Sequence, residues 1–299
     1  MIYDNMLEEI SQIMENQFIF NENKNIFCNT NQLLFHKDTV NKVLKFRENL
    51  CDISLEQITH LAYKYQNNFL SQFYMINQYT YFNEESLQNI RNIFISLINE
   101  LQEVSIPIED IESRHYNRIN TFIKLSNPSI FEINQNDNEI SKQFVCAQYT
   151  GEFLCDLLDI DVSNIKGLVL DIGCGLDGNL VTYLRKMNIE ANGIDRKTNA
   201  PGCTSIDWFM FDYDFEKWDL IISNLSFSSH FLYHHLHNEE ISNQYASTYM
   251  KILSSLKKNG QWVYAPSIPF FEDVLPKQLY KIERNSIDSE FLKTTITKI

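Results

Sequence analysis

The residues of this chain best suited to grip a nucleotide-like ligand lie between Gly167 and Asp195. An apolar run ends in Asp171, turns through Gly173, Gly175 and Gly178, enters an amphipathic segment, and returns as a short strand closed by Asp195. Glycine has no Cβ, so Gly173 and Gly175 can bend sharply and let a ligand lie against the backbone. The helix that follows directs its free N–H groups at the same place. A carboxylate at the end of the second strand is positioned to take ribose hydroxyls. A bare Gly-x-Gly-x-x-Gly spacing also marks NAD-binding turns, but an acid two residues before the first glycine is unusual there.

The wording Asp171-Ile-Gly-Cys-Gly175 resembles the first motif of the class I S-adenosylmethionine-dependent methyltransferases. The resemblance covers roughly the second half of the chain. It implies that Asp171, Gly173 and Gly175 surround the methionine part of S-adenosyl-L-methionine and that Asp195 takes both ribose hydroxyls. It further implies an adenine site at the end of the third strand, where Asp212 and Tyr213 are favoured and Asp207 competes if that strand ends earlier. Asn224, at the end of the fourth strand, then faces the transferred methyl group. Family members acting on DNA bases or protein glutamine often carry an Asn or Asp with two prolines and an aromatic at this position. Here the residues are Asn224-Leu-Ser-Phe227, which leaves the acceptor open.

Four of the seven histidines follow at once, at positions 230, 234, 235 and 237. Methyl transfer is an in-line displacement that needs alignment above all, and a base only when the acceptor is an alcohol or a protonated amine. Histidine titrates near neutrality and can be that base. His230 and His234, four apart, share a helix face. With Asn224 and Ser226 they form the acceptor-side, catalytic set. The competing readings are a solvent-facing helix start, or a half-site for a metal completed by Glu239 or Glu240. No further Cys or His stands ready to finish such a site, so no metal is expected. Ser226, Ser228 and Ser229 either orient an acceptor or cap the helix. Tyr264, Ser267, Phe270 and Phe271 are candidates for the wall of an acceptor pocket.

The elements that must position these residues alternate. Strands are expected at Leu168–Asp171, Ile189–Asp195, Trp208–Asp212, Trp218–Asn224 and from Gln261, with helices between them, the last stopped by Asn259-Gly260 as a C-cap. Leu279 to the end reads as two strands and a turn. The fold class is therefore α/β: a Rossmann-like, mostly parallel seven-stranded sheet with a C-terminal hairpin, over residues 136–299. Before it, residues 1–135 read as an all-helical domain. Apolar stripes run through Ile2, Met6, Ile10 and Ile13, through Leu55 to Phe69 after a Ser54-x-x-Gln57 capping box, and through Leu87 to Leu101; a shorter helix covers Ser113 to Leu125. Asn127-Pro128 and the polar run 134–138 mark the boundary. One more helix, Glu139 to Leu158, leads into the glycine turn. The resemblance makes Phe144, Gln148 and Tyr149 lid residues over the cofactor.

Composition narrows the partners. With 44% hydrophobic residues the chain is globular, and a formal charge of −14 without a run of Lys or Arg disfavours a phosphate-backbone ligand. No stretch reaches membrane-spanning length, and the acidic start is unlike a secretion signal. Six cysteines without a Cys-x-x-Cys pair fit reduced thiols in a cytoplasmic protein, with Cys174 serving as a small packing residue. The expectation is an S-adenosylmethionine-dependent enzyme that methylates an O or N atom of a small-molecule metabolite, with specialised biosynthesis as a candidate setting. The helical domain would act as its lid or in a homodimer contact. Two alternatives remain: an enzyme breaking another C–S bond of the cofactor, by aminocarboxypropyl transfer or by cyclisation, and a binding protein that keeps only the scaffold.

Overall fold

The computed structural model describes residues 2–21, 24, 33–128, 130–131, 149–287 and 291–299. The chain packs into two compact units, residues 1–143 and 144–299. In the first, α1 (Ile2–Asn21), α2 (Lys37–Phe46), a 3-10 turn (Arg47–Asp52), α3 (Leu55–Ile76), α4 (Glu84–Gln102) and α5 (Ile108–Ser126) follow one another. α3 starts where the sequence says it must: Ser54 Oγ accepts from Gln57 N–H at 3.3 Å, and Gln57 Oε1 accepts from Ser54 N–H at 2.9 Å.

The expected stripes meet in one core. Leu61, Tyr65 and Phe69 of α3 join Ile90, Phe94 and Ile98 of α4 and Ile111, Ile119 and Ile123 of α5. Leu55 departs from its stripe. As the first residue of α3 it extends past the neighbouring helices and stays 73% exposed. Nor is Asn127 a linker residue. It caps α5 and is buried because its amide brackets the backbone of Tyr81, accepting from the N–H and donating to the carbonyl, both at 3.1 Å. The run 134–138, Phe144 and Gln148 lie outside the described residues.

The second unit opens with α6 (Gly151–Leu157), N-capped by Thr150. The expected continuous helix from Glu139 is thus interrupted at residues 149–150, which are not helical. Then come β1 (Val169–Ile172), α7 (Asn179–Lys186), β2 (Ala191–Asp195), β3 (Cys203–Ser205), β4 (Trp218–Asn224), α8 (Phe227–His237), α9 (Glu239–Ser255), β5 (Leu256–Ala265), α10 (Pro269–Glu272), β6 (Tyr280–Ser286) and β7 (Leu292–Lys298). They form a seven-stranded sheet in the order β3-β2-β1-β4-β5-β7-β6. β1 to β5 run parallel, and β7 inserts antiparallel between β5 and β6. Parallel strands covered on both faces read as continuous apolar runs, as the Leu220-Ile221-Ile222 centre of β4 does. No helix among the described residues is long and apolar enough to cross a membrane.

Two boundaries differ from the sequence reading, each for a local reason. The third strand is Cys203–Ser205, whereas Trp208 to Met210 form a turn: Asp207 Oδ1 accepts from Phe209 N–H at 2.9 Å, an Asx turn that leaves the sheet. Asn259-Gly260 is not a helix C-cap. α9 has already ended at Ser255, and Asn259, at φ +64°, lies within β5 where the register against β4 shifts. This is a bulge, which admits a left-handed residue.

The hairpin is locked to β5 by a buried carboxylate. Glu272, 1% exposed, accepts from Tyr264 Oη at 2.7 Å, Thr294 Oγ1 at 2.8 Å and Ile268 N–H at 2.7 Å, and pairs with Arg284. Removing that acceptor strands three buried donors. Glu272→Ala is therefore expected to destabilise the protein by about 3–5 kcal/mol in urea unfolding, against about 1 kcal/mol or less for the exposed Glu283→Ala.

Candidate functional site

The site sits at the carboxyl ends of β1, β2 and β4, where an open parallel sheet places its ligands. Asp171 occupies β1 beside Gly193 of β2 and Ile222 of β4, and is 5% exposed. Burial pushes its carboxyl up to about 8, with the neighbouring Cys203 and Asp195 adding to the shift. An acid held in this state releases its proton readily only when a cation arrives.

The turn above it depends on two glycines with positive φ. Gly173, at +82°, donates its N–H to Ile194 O at 2.8 Å and lies against α8's first turn: a Cβ there would stand 2.6 Å from Ser226 Oγ and 3.5 Å from Trp208 Cζ2. Gly175, at +72°, is the opposite case. Among the described residues nothing lies within 4 Å of where its Cβ would be, so the backbone there borders space a ligand can fill. Its N–H donates to Asp195 Oδ2 at 3.1 Å, while Lys197 N–H donates to Oδ1 at 3.0 Å. Each carboxylate oxygen of Asp195 keeps a lone pair in reserve, enough for two hydroxyls. Burial raises this carboxyl as well.

The β4–α8 connection is strained and tied down. Leu225 sits at φ +50°, rare for a leucine. Ser226 Oγ donates to Ile172 O at 2.7 Å and meets Ser223 Oγ at 2.9 Å, joining the ends of β1 and β4. The expectations for Ser226 are corrected on both counts. It makes no side-chain cap to α8, and its proton is committed to a backbone carbonyl, so it positions the turn. Asn224 is the residue left open. Its Oδ1 is buried with no hydrogen-bond partner, and an unanswered buried acceptor at a strand end calls for an outside donor.

The adenine-side expectation moves with the third strand. Asp212 does not close a strand; it is exposed and accepts from Asp214 N–H at 3.0 Å. Tyr213 is buried, donating its hydroxyl to Trp208 O at 3.1 Å and accepting on its carbonyl from Trp218 Nε1 at 2.9 Å. It is a core residue. Asp207, the competing acid if the strand ends earlier, lies two residues beyond β3 and accepts from Phe209 N–H. Tyr149 is half-buried at the other side of the turn, its carbonyl accepting from Asn179 Nδ2 at 3.0 Å at the start of α7.

His230 and His234 share a face of α8, with ring centroids 6.4 Å apart, but that face is turned inward. They are 3% and 4% exposed, which rules out the solvent-facing reading. His230 packs edge-on against Trp208 at 4.9 Å and His234 stacks on Tyr245 at 5.5 Å. Burial holds His230 well below the ordinary imidazole range and His234 down at about 4, with Arg196 adding to both shifts. Both are neutral at pH 7 and weak as bases, so they suit hydrogen bonding and ring packing better than proton removal. Among the described residues no group of three or more His, Cys, Asp and Glu is placed to hold a metal. Tyr264 and Ser267 leave the pocket wall: the first joins the Glu272 network and the second donates to Leu292 O at 3.1 Å. Phe270 and Phe271 pack edge-on against Phe231 at 5.3 and 5.2 Å.

Sequence reasoning missed Trp208, which it assigned to a strand. Its indole lies between Gly173 and His230, and its Nε1–H is buried with no acceptor. A tryptophan soon after the third strand was the available signal. Cys174 also has company: a Cβ on Gly193 would meet its sulfur at 2.9 Å and that of Cys203 at 2.7 Å, so two thiols converge under the turn.

No family model matches the sequence, and no curated protein matches it. Solved structures do. A TehB-like methyltransferase from Corynebacterium glutamicum is similar at 19% identity, over 51% of this chain and 89% of that one, with a TM-score of 0.37. The N-methyltransferase NodS from Bradyrhizobium japonicum is similar at 17% identity, over 49% and 94%, with a TM-score of 0.35. A Burkholderia thailandensis 1,6-didemethyltoxoflavin-N1-methyltransferase, solved with its substrate and S-adenosylhomocysteine, is similar at 14% identity, over 52% and 78%, with a TM-score of 0.35. The α/β unit is a Rossmann-like, mostly parallel seven-stranded sheet with a C-terminal hairpin, the fold class expected from the sequence. Its strand order, its inserted antiparallel strand and the glycine turn after β1 are this chain's own evidence for that.

The two glycines of this turn are expected to respond differently. Gly173→Ala forces Ser226 off Ile172 and is expected to lower the thermal midpoint by several degrees, roughly the effect of 2–3 kcal/mol. Gly175→Ala meets no atom and costs only the left-handed backbone, about 1–2 kcal/mol. In 15N NMR, His230 and His234 are expected to keep neutral-ring shifts down to about pH 5.5. A titration of either near 6.5 would contradict their burial.

Proposed function

We propose that this protein is an S-adenosylmethionine-dependent methyltransferase acting on an O or N atom of a small-molecule metabolite. The observation that carries the proposal is the linked set Asp171, Gly175 and Asp195: a buried acid beneath an open, Cβ-free turn whose N–H orients a second acid. The arrangement fits the cofactor on its own terms. Asp195 has acceptor capacity for a diol, and Asp171 is poised to ionise beside a cationic amino group. Bound there, S-adenosylmethionine supplies an electrophilic sulfonium methyl group.

The chain's own residues supply the rest. Asn224 Oδ1 is free to accept an N–H or O–H from the acceptor or from the amino end of the cofactor. Trp208, Phe227 and Tyr245 pack around the His230 and His234 rings in a buried aromatic cluster behind the β4–α8 connection, which supports a planar or apolar acceptor at its edge. With weak bases facing it, the acceptor must arrive as a nucleophile that needs little help, such as a neutral amine or a ring nitrogen, or as a hydroxyl whose proton leaves to water. Small-molecule acceptance also agrees with the charge of −14, which disfavours nucleic acid.

Incubation with S-adenosylmethionine and candidate acceptors tests the chemistry: S-adenosylhomocysteine is the expected product, and methylthioadenosine would instead mean cleavage of another C–S bond. Calorimetry with S-adenosylhomocysteine tests the site. Asp171 is largely protonated below about pH 8 when alone and must ionise beside the ligand's ammonium. Binding therefore releases a proton, and affinity rises with pH, by up to about tenfold per unit between pH 6 and 8, then levels off. Asp171→Asn removes that dependence. Asp195→Ala is expected to weaken binding by about tenfold or more.

A further inference from the structure

The helical unit holds a cavity of its own. A volume of about 150 Å³ opens between α1, α3, α4 and α5, walled by Ile10, Phe69, Phe94 and Leu97, and with polar side chains at a few points. Protein cores seldom leave voids larger than a water molecule, so a space of this size among large aliphatic and aromatic residues is not ordinary packing. An apolar cavity of roughly 150 Å³ stays dry and accepts a single benzene-sized ring.

Two lining side chains carry buried polar atoms with no hydrogen-bond partner, His115 Nδ1 and Asn21 Oδ1. His115, 3% exposed, is fixed from behind by Tyr65, whose hydroxyl lies 3.2 Å from Nε2. Burial depresses this imidazole to about 3, so the ring is neutral and Nδ1 is either a single donor or a single acceptor. Asn21 is likewise anchored, its Nδ2 donating to Tyr116 Oη at 2.8 Å, which leaves Oδ1 waiting for a donor. Among the described residues, the one charged group on the lining, Lys24, holds its ammonium 3.6 Å from the centre of the Phe20 ring. A trapped water could answer His115 but would leave the apolar walls bare, and buried water needs two to four polar partners.

We propose that this cavity is a binding site, separate from the cofactor turn, for a neutral single-ring aromatic molecule bearing one hydroxyl, of the phenol class. The ring fills the apolar volume. The hydroxyl, both donor and acceptor, satisfies His115 Nδ1 in either tautomer or Asn21 Oδ1. Cationic ligands are excluded, because a neutral imidazole and an amide cannot compensate a second positive charge beside Lys24, and the Lys24 ammonium is itself already engaged over the Phe20 ring.

The test is calorimetric titration of the full-length protein with phenol and with benzene, alongside His115→Phe and Leu97→Trp. Saturable one-to-one binding of phenol is expected in the unaltered protein, with benzene weaker. His115→Phe keeps ring volume and removes the nitrogen, so it is expected to weaken phenol about tenfold while leaving benzene within about twofold. Leu97→Trp fills the space and is expected to abolish both, with circular dichroism confirming that its helices remain. No saturable phenol binding to the unaltered protein would overturn the proposal, as would unchanged phenol affinity in a folded Leu97→Trp variant or equal phenol and benzene affinities unaffected by His115→Phe. S-adenosylhomocysteine titrations of the same samples report on the other unit, so failure here is distinguishable from failure of the methyltransferase reading.

Discussion

The α/β unit turns on one steric constraint, the missing Cβ of Gly173. Because nothing projects from that residue, Ser226 can approach closely enough to donate to Ile172 O and tie the end of β4 to the end of β1. The same contact forces Leu225 into a left-handed conformation and delivers Asn224 to the edge of the glycine turn. Strain of this kind, on the order of 1–3 kcal/mol, persists only where surrounding structure over-determines it, and it clusters at working sites. Two glycines with distinct tasks result: Gly173 admits a piece of the protein, and Gly175 leaves room for something else.

Electrostatics in the site follow from burial more than from pairing. Asp195 stands close enough to raise the Asp171 carboxyl, and burial raises both, outweighing Arg196 and the backbone N–H groups at Asp195. Such a pair is poorly satisfied when alone and well satisfied by a ligand bringing one positive charge and a diol. The histidines obey the same physics in reverse. Placed among Trp208, Phe227 and Tyr245, they lose their affinity for protons, which turns a sequence cluster that reads as a base into a neutral aromatic wall.

Each unit places unanswered polar atoms beside apolar surface. In the α/β unit these include Asn224 Oδ1 and Trp208 Nε1, with Ser228 Oγ and Trp262 Nε1 deeper in the core; in the helical unit they are His115 Nδ1 and Asn21 Oδ1. A buried polar atom without a partner costs about 1–3 kcal/mol, so each that borders a site is a place where the fold gives up stability that a ligand can return.

Local pattern decided the elements whose signal is local. The capping box at Ser54, the stripes of α3 and α4, the Asp171-to-Gly178 turn and Asp195 were all legible, because glycine spacing and helical periodicity act over a few residues. Trp218–Asn224 was legible for the same reason, from its Leu220-Ile221-Ile222 apolar centre. Tertiary structure decided what depends on neighbours. It ended the third strand at Ser205, where Asp207 closes a turn on Phe209, which left Asp212 off any strand end and Tyr213 in the core. It turned the His230 and His234 face inward, an orientation periodicity cannot assign when both faces of a helix carry apolar residues. It also gave Ser226 a carbonyl to hold instead of a helix to cap, because that choice depends on Ile172, 54 residues away in the chain and 2.7 Å away in space.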